Sequence, residues 1–203
     1  MSAAPPSPFL SLPQQGIAHD LLVQRMAVCK RDDIPWREGR SWSLVYYAGE
    51  EHSRFLARVI ETFMSENGLS PAAFPSLLRF ENEVVGMLLD LLHAPPGAVG
   101  SMTSGGTEST LLAVKASRDW NRERRKGMFQ PEMVLPATAH PAFFKAGAYF
   151  DCKPVVVPVE PDGTLDPRSM ARACTHKTIL IGASAPSFSL GMVDPIDELG
   201  RIA

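Results

Sequence analysis

Three consecutive pieces decide the fold class: Met133-Val134-Leu135-Pro136, then Pro141-Ala142-Phe143-Phe144-Lys145-Ala146-Gly147-Ala148-Tyr149-Phe150, then Val155-Val156-Val157-Pro158-Val159. The first and last are short apolar runs rich in valine and bounded by proline, which read as buried strands. The middle piece opens on a proline suited to the first turn of a helix and continues for ten residues. Strand, helix and strand at this spacing predict two parallel strands joined by a crossover.

The same alternation extends outward. Upstream, Val99–Thr103 reads as a strand and Thr107 to about Arg125 as a helix. Downstream come a Pro161-Asp162-Gly163 turn, a helix over Pro167–Cys174, a strand over Thr178–Ala183 and a helix from Pro195 onward. The class is α/β, a mostly parallel sheet with helices on both faces. Residues 14–96 have a different character. Phe55, Leu56, Val59, Ile60, Phe63 and Met64 recur at helical spacing within Glu50–Asn67, and Phe74–His93 repeats the pattern before Pro95. The expected organisation is a flexible lead-in over 1–13, a helical segment over 14–96 and an α/β region over 97–203, with the break at Pro95-Pro96-Gly97. The sequence ends at Ala203 inside a helical pattern, so it reads as an N-terminal part.

Composition narrows the function classes. Lys+Arg number 20 against Asp+Glu 22 in 203 residues, a net charge of −2, so no global field attracts nucleic acid or an anionic membrane. The basic run Arg122–Lys126 falls at the end of a predicted helix, where cations complement the dipole. No apolar run approaches the roughly 18 residues of a membrane helix. Cys29, Cys152 and Cys174 are far apart with no CxxC spacing, which points to reduced thiols, a cytoplasmic setting and no metal site.

Ser101-Met102-Thr103-Ser104-Gly105-Gly106-Thr107-Glu108-Ser109 follows the expected strand and opens a long helix. That placement offers free backbone N–H groups and a helix dipole to an anion. Gly105 and Gly106 permit close approach, and Ser104 and Thr107 supply hydroxyls. The P-loop lysine and the GxGxxG spacing are both absent. The same letters also suit a glycine-rich turn capped by Thr107.

Thr103-Ser104-Gly105-Gly106-Thr107-Glu108-Ser109-Thr110-Leu111-Leu112 resembles the phosphate-binding signature of the pyridoxal-phosphate-dependent group II decarboxylases. Ala139-His140-Pro141-Ala142-Phe143-Phe144-Lys145-Ala146, Val157-Pro158-Val159 and Gly191-Met192-Val193-Asp194-Pro195-Ile196 match the same family in order. Within it, Ala183-Ser184-Ala185-Pro186, Tyr46-Tyr47-Ala48-Gly49, the stretch from Asn67 to Pro75, and Glu81 are most similar to the sphingosine-1-phosphate lyases. The resemblance runs from about Ser41 to Ala203.

This resemblance implies a fold-type-I large domain, a homodimer and pyridoxal 5'-phosphate as cofactor. It assigns the cofactor phosphate to Ser104, Gly105, Gly106 and Thr107, and ring stacking with a catalytic role to His140. Ser184, after a strand, is a cofactor contact in this reading, Tyr46 or Tyr47 either reaches a phosphate from the partner subunit or packs as an ordinary aromatic, and Ser70 is a further candidate for the substrate or its phosphate. Asp194 reads as a helix N-cap rather than a partner of the pyridine nitrogen. Lys177 precedes a strand and comes too early in the chain to be the family's Schiff-base lysine, which the resemblance places beyond these residues. Ser70 and Ala72 stand where the lyases carry a His and an Asp, which weakens the case for a phospholipid substrate. The implied function is part of a carbon–carbon lyase or decarboxylase acting on an amino acid or amino alcohol. The alternative is a noncatalytic truncated homologue serving as scaffold or dimer partner.

Overall fold

The computed structural model describes residues 14–39, 45–127 and 130–203. The expected lead-in over 1–13 lies outside them. The chain divides into two compact units, Met1–Asn67 and Gly68–Ala203.

The second unit is built on β1 (Glu132–Pro136), in which every residue is buried. Its side chains alternate between two cores, as the period of a strand dictates. Met133 and Leu135 join Val114, Ala146 and Cys152 on one face, whereas Val134 joins Val157, Leu165, Met170 and Leu199 on the other. Met133, Val134, Leu135 and Met170 are fully buried, and each such side chain contributes about 1.5–3 kcal/mol of transfer free energy. β1 is therefore the central strand of a parallel sheet in the order β2-β1-β3, with β2 at Lys153–Val157 and β3 at Thr178–Ile181. Glu132 lies opposite Lys153, Pro136 opposite Val157 and Val134 opposite Ile181.

Two helices are set by their ends. Helix α5 (Pro141–Phe150) has His140 at its N-cap, and α6 (Pro167–Ala173) has Asp166, whose carboxylate accepts the N–H groups of Arg168 and Ser169 at 3.0 and 3.1 Å. Gly147 lets α5 approach the start of β2, since a Cβ there would lie 2.7 Å from the Cys152 carbonyl oxygen. Helices α3 (Pro75–Leu91), α4 (Gly106–Arg124) and α7 (Ile196–Ile202) complete the unit. Val114 of α4 and Ala146 of α5 enter the first core, and Met170 of α6 and Leu199 of α7 the second. Helices thus cover both faces of the sheet.

The strands depart from the sequence pattern in three places, one being that β3 ends at Ile181 rather than Ala183. Val99–Thr103 does not form a strand. The Met102 N–H donates to the Glu81 carboxylate of α3 at 2.9 Å instead of to a neighbouring strand, and a Cβ on Gly100 would stand 3.0 Å from Val85. β2 begins two residues before Val155, because Lys153 N–H donates to the Pro131 carbonyl at 2.8 Å. It closes before Pro158, which has no N–H to donate. Pro154 is tolerated because β2 is at the sheet edge.

The first unit holds α1 (His19–Cys29), single turns at Lys30–Asp32 and Trp36–Glu38, and α2 (Glu50–Thr62). α2 stops five residues before Asn67, where the Phe63 N–H is shared between the carbonyls of Val59 and Ile60 at 3.2 and 3.3 Å. At its start Glu50 accepts from Arg37 Nε (2.9 Å) and from the Tyr47 hydroxyl (3.0 Å). Among the described residues, no helix is long and apolar enough to cross a membrane.

Candidate functional site

The contacts of α4 fix which way its N-terminus points. Near its C-terminal end, Arg125 Nη1 donates to the His176 carbonyl at 3.2 Å, immediately before β3 begins. Arg118 Nη1 donates to the Phe150 carbonyl at 3.4 Å, just before β2. The C-terminal end of α4 therefore lies at the edge where the strands start. A helix of 19 residues is about 28 Å long, longer than the short strands it covers. Its N-terminus therefore points away from the edge where the strands start, toward the carboxyl edge at which β1 gives way to His140 and β3 to Ser184. That carboxyl edge is where open α/β sheets place ligands.

At this N-terminus the first donor inside the helix is Ser109 N–H, which bonds the Gly105 carbonyl at 3.1 Å. The N–H groups of Gly106, Thr107 and Glu108 precede it and have no partner among the described residues, as helix starts require. A Cβ added at Gly105 or Gly106 would meet nothing within 4 Å. Packing within the chain therefore does not demand these two glycines, and their backbone stays open to a ligand. The N-cap position is Gly105, with no side-chain cap, so Thr107 is not the capping residue. Donors without a cation, at the positive end of a helix dipole, suit an oxygen-rich anion such as a phosphate.

Ser104 is already engaged. Its N–H and its hydroxyl both donate to Glu108 Oε2, at 2.7 and 2.6 Å. The hydroxyl first, and then the backbone N–H, hold the Glu108 carboxyl below the usual carboxylate range. Thr103 Oγ1 lies 2.7 Å from Ser109 Oγ and donates to the Gly105 carbonyl at 3.1 Å, tying the turn to the first helical turn.

His140 is exposed, and its Nδ1 accepts the Ala142 N–H at 3.1 Å. The cap fixes the ring's orientation and assigns the proton to Nε2 in the neutral imidazole. Being a helix cap and presenting a ring face are compatible roles here. Ser184 is held by a two-way clamp. Its N–H donates to Asp194 Oδ2 at 2.7 Å, and Asp194 N–H donates back to its carbonyl at 2.9 Å. Asp194 is 4% exposed and does not cap α7, whose N-cap position is Pro195. The expected N-cap role is corrected by this tertiary bond. Asp194 remains structural, and it shapes the loop that carries Ser184.

Among the residues singled out from the sequence, Gly105, Gly106 and Thr107 open α4, while His140 and Ser184 follow the carboxyl ends of β1 and β3. Ser70 is exposed in the turn before α3, where its carbonyl accepts from Ala73 and Phe74 at 2.9 and 3.0 Å. Tyr46 and Tyr47 belong to the first unit. Tyr47 is tied to Glu50 and meets Trp36 edge-on at 5.2 Å, while Tyr46 is fully exposed. Sequence reasoning missed the bonds of Glu108 to Ser104 and the partner of Asp194. An acid three residues after an N-cap was the available signal for Glu108. No local signal identified the partner of Asp194.

Residues 36–203 match the model of the pyridoxal-dependent decarboxylase conserved domain. The chain is 39% identical over 195 residues to a sphingosine-1-phosphate lyase of Dictyostelium discoideum, covering 95% of this chain and 36% of that protein. It is 30% identical over 194 residues to a probable L-aspartate decarboxylase of Pyrococcus furiosus, covering 96% and 50% respectively. Among solved structures, the sphingosine-1-phosphate lyase of Burkholderia pseudomallei superposes with a TM-score of 0.82 at 32% identity, over 95% of this chain and 46% of that one. A Lactobacillus brevis glutamate decarboxylase shares the fold, with a TM-score of 0.79 at 21% identity. The chain spans about a third of the length of the lyase relatives it matches. With the family model matching residues 36–203, most of its length, the chain belongs to the pyridoxal-dependent decarboxylase family.

Proposed function

We propose that this chain forms the phosphate- and ring-binding part of a pyridoxal-phosphate-dependent lyase that breaks a bond to the amine-bearing carbon of its substrate. Pyridoxal phosphate, when bound, supplies an electron-accepting ring for the charge that develops at that carbon. The chain's residues supply binding and orientation. The N–H groups at the start of α4, with the Thr107 hydroxyl, would hold the phosphate. His140, its plane set by the Ala142 bond and its proton on Nε2, would stack on the pyridine ring. Ser184 offers its hydroxyl from the clamped loop. The observation that supports this reading most is the unpaired Gly106–Glu108 N–H set at the start of α4.

The substrate class is an amino acid or amino alcohol, and the whole enzyme is a cytoplasmic homodimer to which Tyr46 or Tyr47 contributes across the interface. Ser70 and Ala72 give no charge-capable group near a phosphorylated head group. A neutral hydroxyl bond is roughly half as strong as a charge-assisted one. The whole encoded protein should therefore cleave phosphorylated and unphosphorylated amino alcohols, or amino acids, with a phosphate preference of less than about tenfold. Product analysis by mass spectrometry decides it. A strong preference for sphingosine 1-phosphate would refute the specificity argument, and no cleavage of any amine would refute the function.

A further inference from the structure

Glu108 is the third residue of α4 and its carboxylate bends back over the open turn. It accepts both polar hydrogens of Ser104, at 2.7 Å from the N–H and 2.6 Å from the hydroxyl. Those two donors are spent inside the chain. Resting on the functional reading above, we propose that Glu108 is a positioning residue of the phosphate site: it locks Ser104, confines phosphate recognition to the Gly106 and Thr107 side of the turn, and leaves Ser104 outside the contact set.

Geometry and chemistry both support this division. A hydroxyl has one hydrogen to donate, and the Ser104 hydrogen goes to an ionised acceptor, among the stronger bonds a hydroxyl makes. A phosphate dianion could take it only by displacing a carboxylate that also holds the adjacent N–H. Two residues further along, the Gly106 and Thr107 N–H groups are unpaired and unshielded. The Met102 N–H is fixed by a second carboxylate, that of Glu81, at 2.9 Å. Carboxylates thus anchor residues 102 and 104, the Gly105 N–H turns to Thr103 Oγ1 at 3.4 Å, and the consecutive unpaired donors of the helix start begin at 106.

The test compares pyridoxal phosphate with pyridoxal on the full chain, so that the increment due to the phosphate is read apart from ring binding. Glu108→Ala should cut that increment by about tenfold, the effect of losing one charge-assisted anchor, while pyridoxal binding stays as it was. Glu108→Gln keeps an oxygen that can accept from Ser104, and should restore most of the increment. Ser104→Ala should cost less than Glu108→Ala, because the backbone N–H remains anchored. Hydrogen exchange at the Ser104 amide gives a readout without ligand, slow in the wild-type chain and in Glu108→Gln, and fast in Glu108→Ala. Tighter phosphate binding by Glu108→Ala would make the carboxylate a competitor and overturn the proposal. A loss in Ser104→Ala exceeding that in Glu108→Ala would make Ser104 a direct ligand and overturn it as well. If the wild-type chain bound pyridoxal phosphate no better than pyridoxal, the functional reading itself would fail, and this assignment with it.

Discussion

At the scale of single residues, the site depends on what side chains leave open as much as on what they contact. Gly106→Val adds a branched side chain whose Cβ meets no atom within 4 Å beyond its chain neighbours and its own helix backbone, and valine is no poorer a helix former than glycine, so the fold should accept it. The same side chain screens the N–H groups from a phosphate. Phosphate-dependent cofactor affinity should fall by at least about tenfold while the melting temperature moves little. Early melting with normal cofactor binding would make the turn purely structural. Asp194 behaves oppositely. Asp194→Ala strips a buried acceptor from the Ser184 N–H, and an orphaned buried donor costs about 1–3 kcal/mol in a denaturant titration. Asp194→Asn retains an accepting oxygen and should cost less.

At the scale of elements, α6 is pinned by its cap. The Ser169 hydroxyl, followed by the Arg168 N–H, holds the Asp166 carboxyl below its ordinary value. A carboxylate with a depressed folded value contributes stability that is present above the unfolded pKa, near pH 3.9 for a typical Asp, and is lost as pH falls through the folded value. Melting temperatures followed from neutral into acid should therefore fall more steeply for the wild-type chain than for Asp166→Ala. The two curves should converge at the acid end. Parallel curves would show that the cap contributes nothing.

The elements also show where the sequence was legible. Met133–Pro136 and Pro141–Phe150 were readable because one is a continuous apolar run bounded by proline and a proline starts the other, both local properties. Val99–Thr103 carried strand-like letters, but strand pairing is nonlocal, and here Glu81 takes the Met102 N–H. Asp194-Pro195 looked like a helix start, yet the carboxylate found a better partner ten residues back. The glycine turn and His140 were legible because several motifs occurred in family order. The carboxylate bound to Ser104 was not, because the motif fixes residue types and not their bonds.

At the scale of the whole molecule, the sheet has two edges with different chemistry. The Lys177 carbonyl accepts the Glu132 N–H at 2.9 Å at the edge where β1 and β3 begin, opposite the proposed site. Lys145 holds its ammonium 5.6 Å from the Tyr149 ring centroid on α5. Borohydride reduction of the chain with pyridoxal phosphate, followed by peptide mapping, should give no single stoichiometric adduct on either lysine. Such an adduct would overturn the assignment of Lys177. In the proposal above, the start of α4, His140 and Ser184 form a single pyridoxal-phosphate site. Backbone amide shifts of the labelled chain, titrated with pyridoxal phosphate, test it most directly. The predicted result is a saturable set of shifts at Gly105–Thr107, His140–Ala142 and Ser184, and shifts clustered around Arg125, His176 and Thr178 at the opposite edge would contradict it.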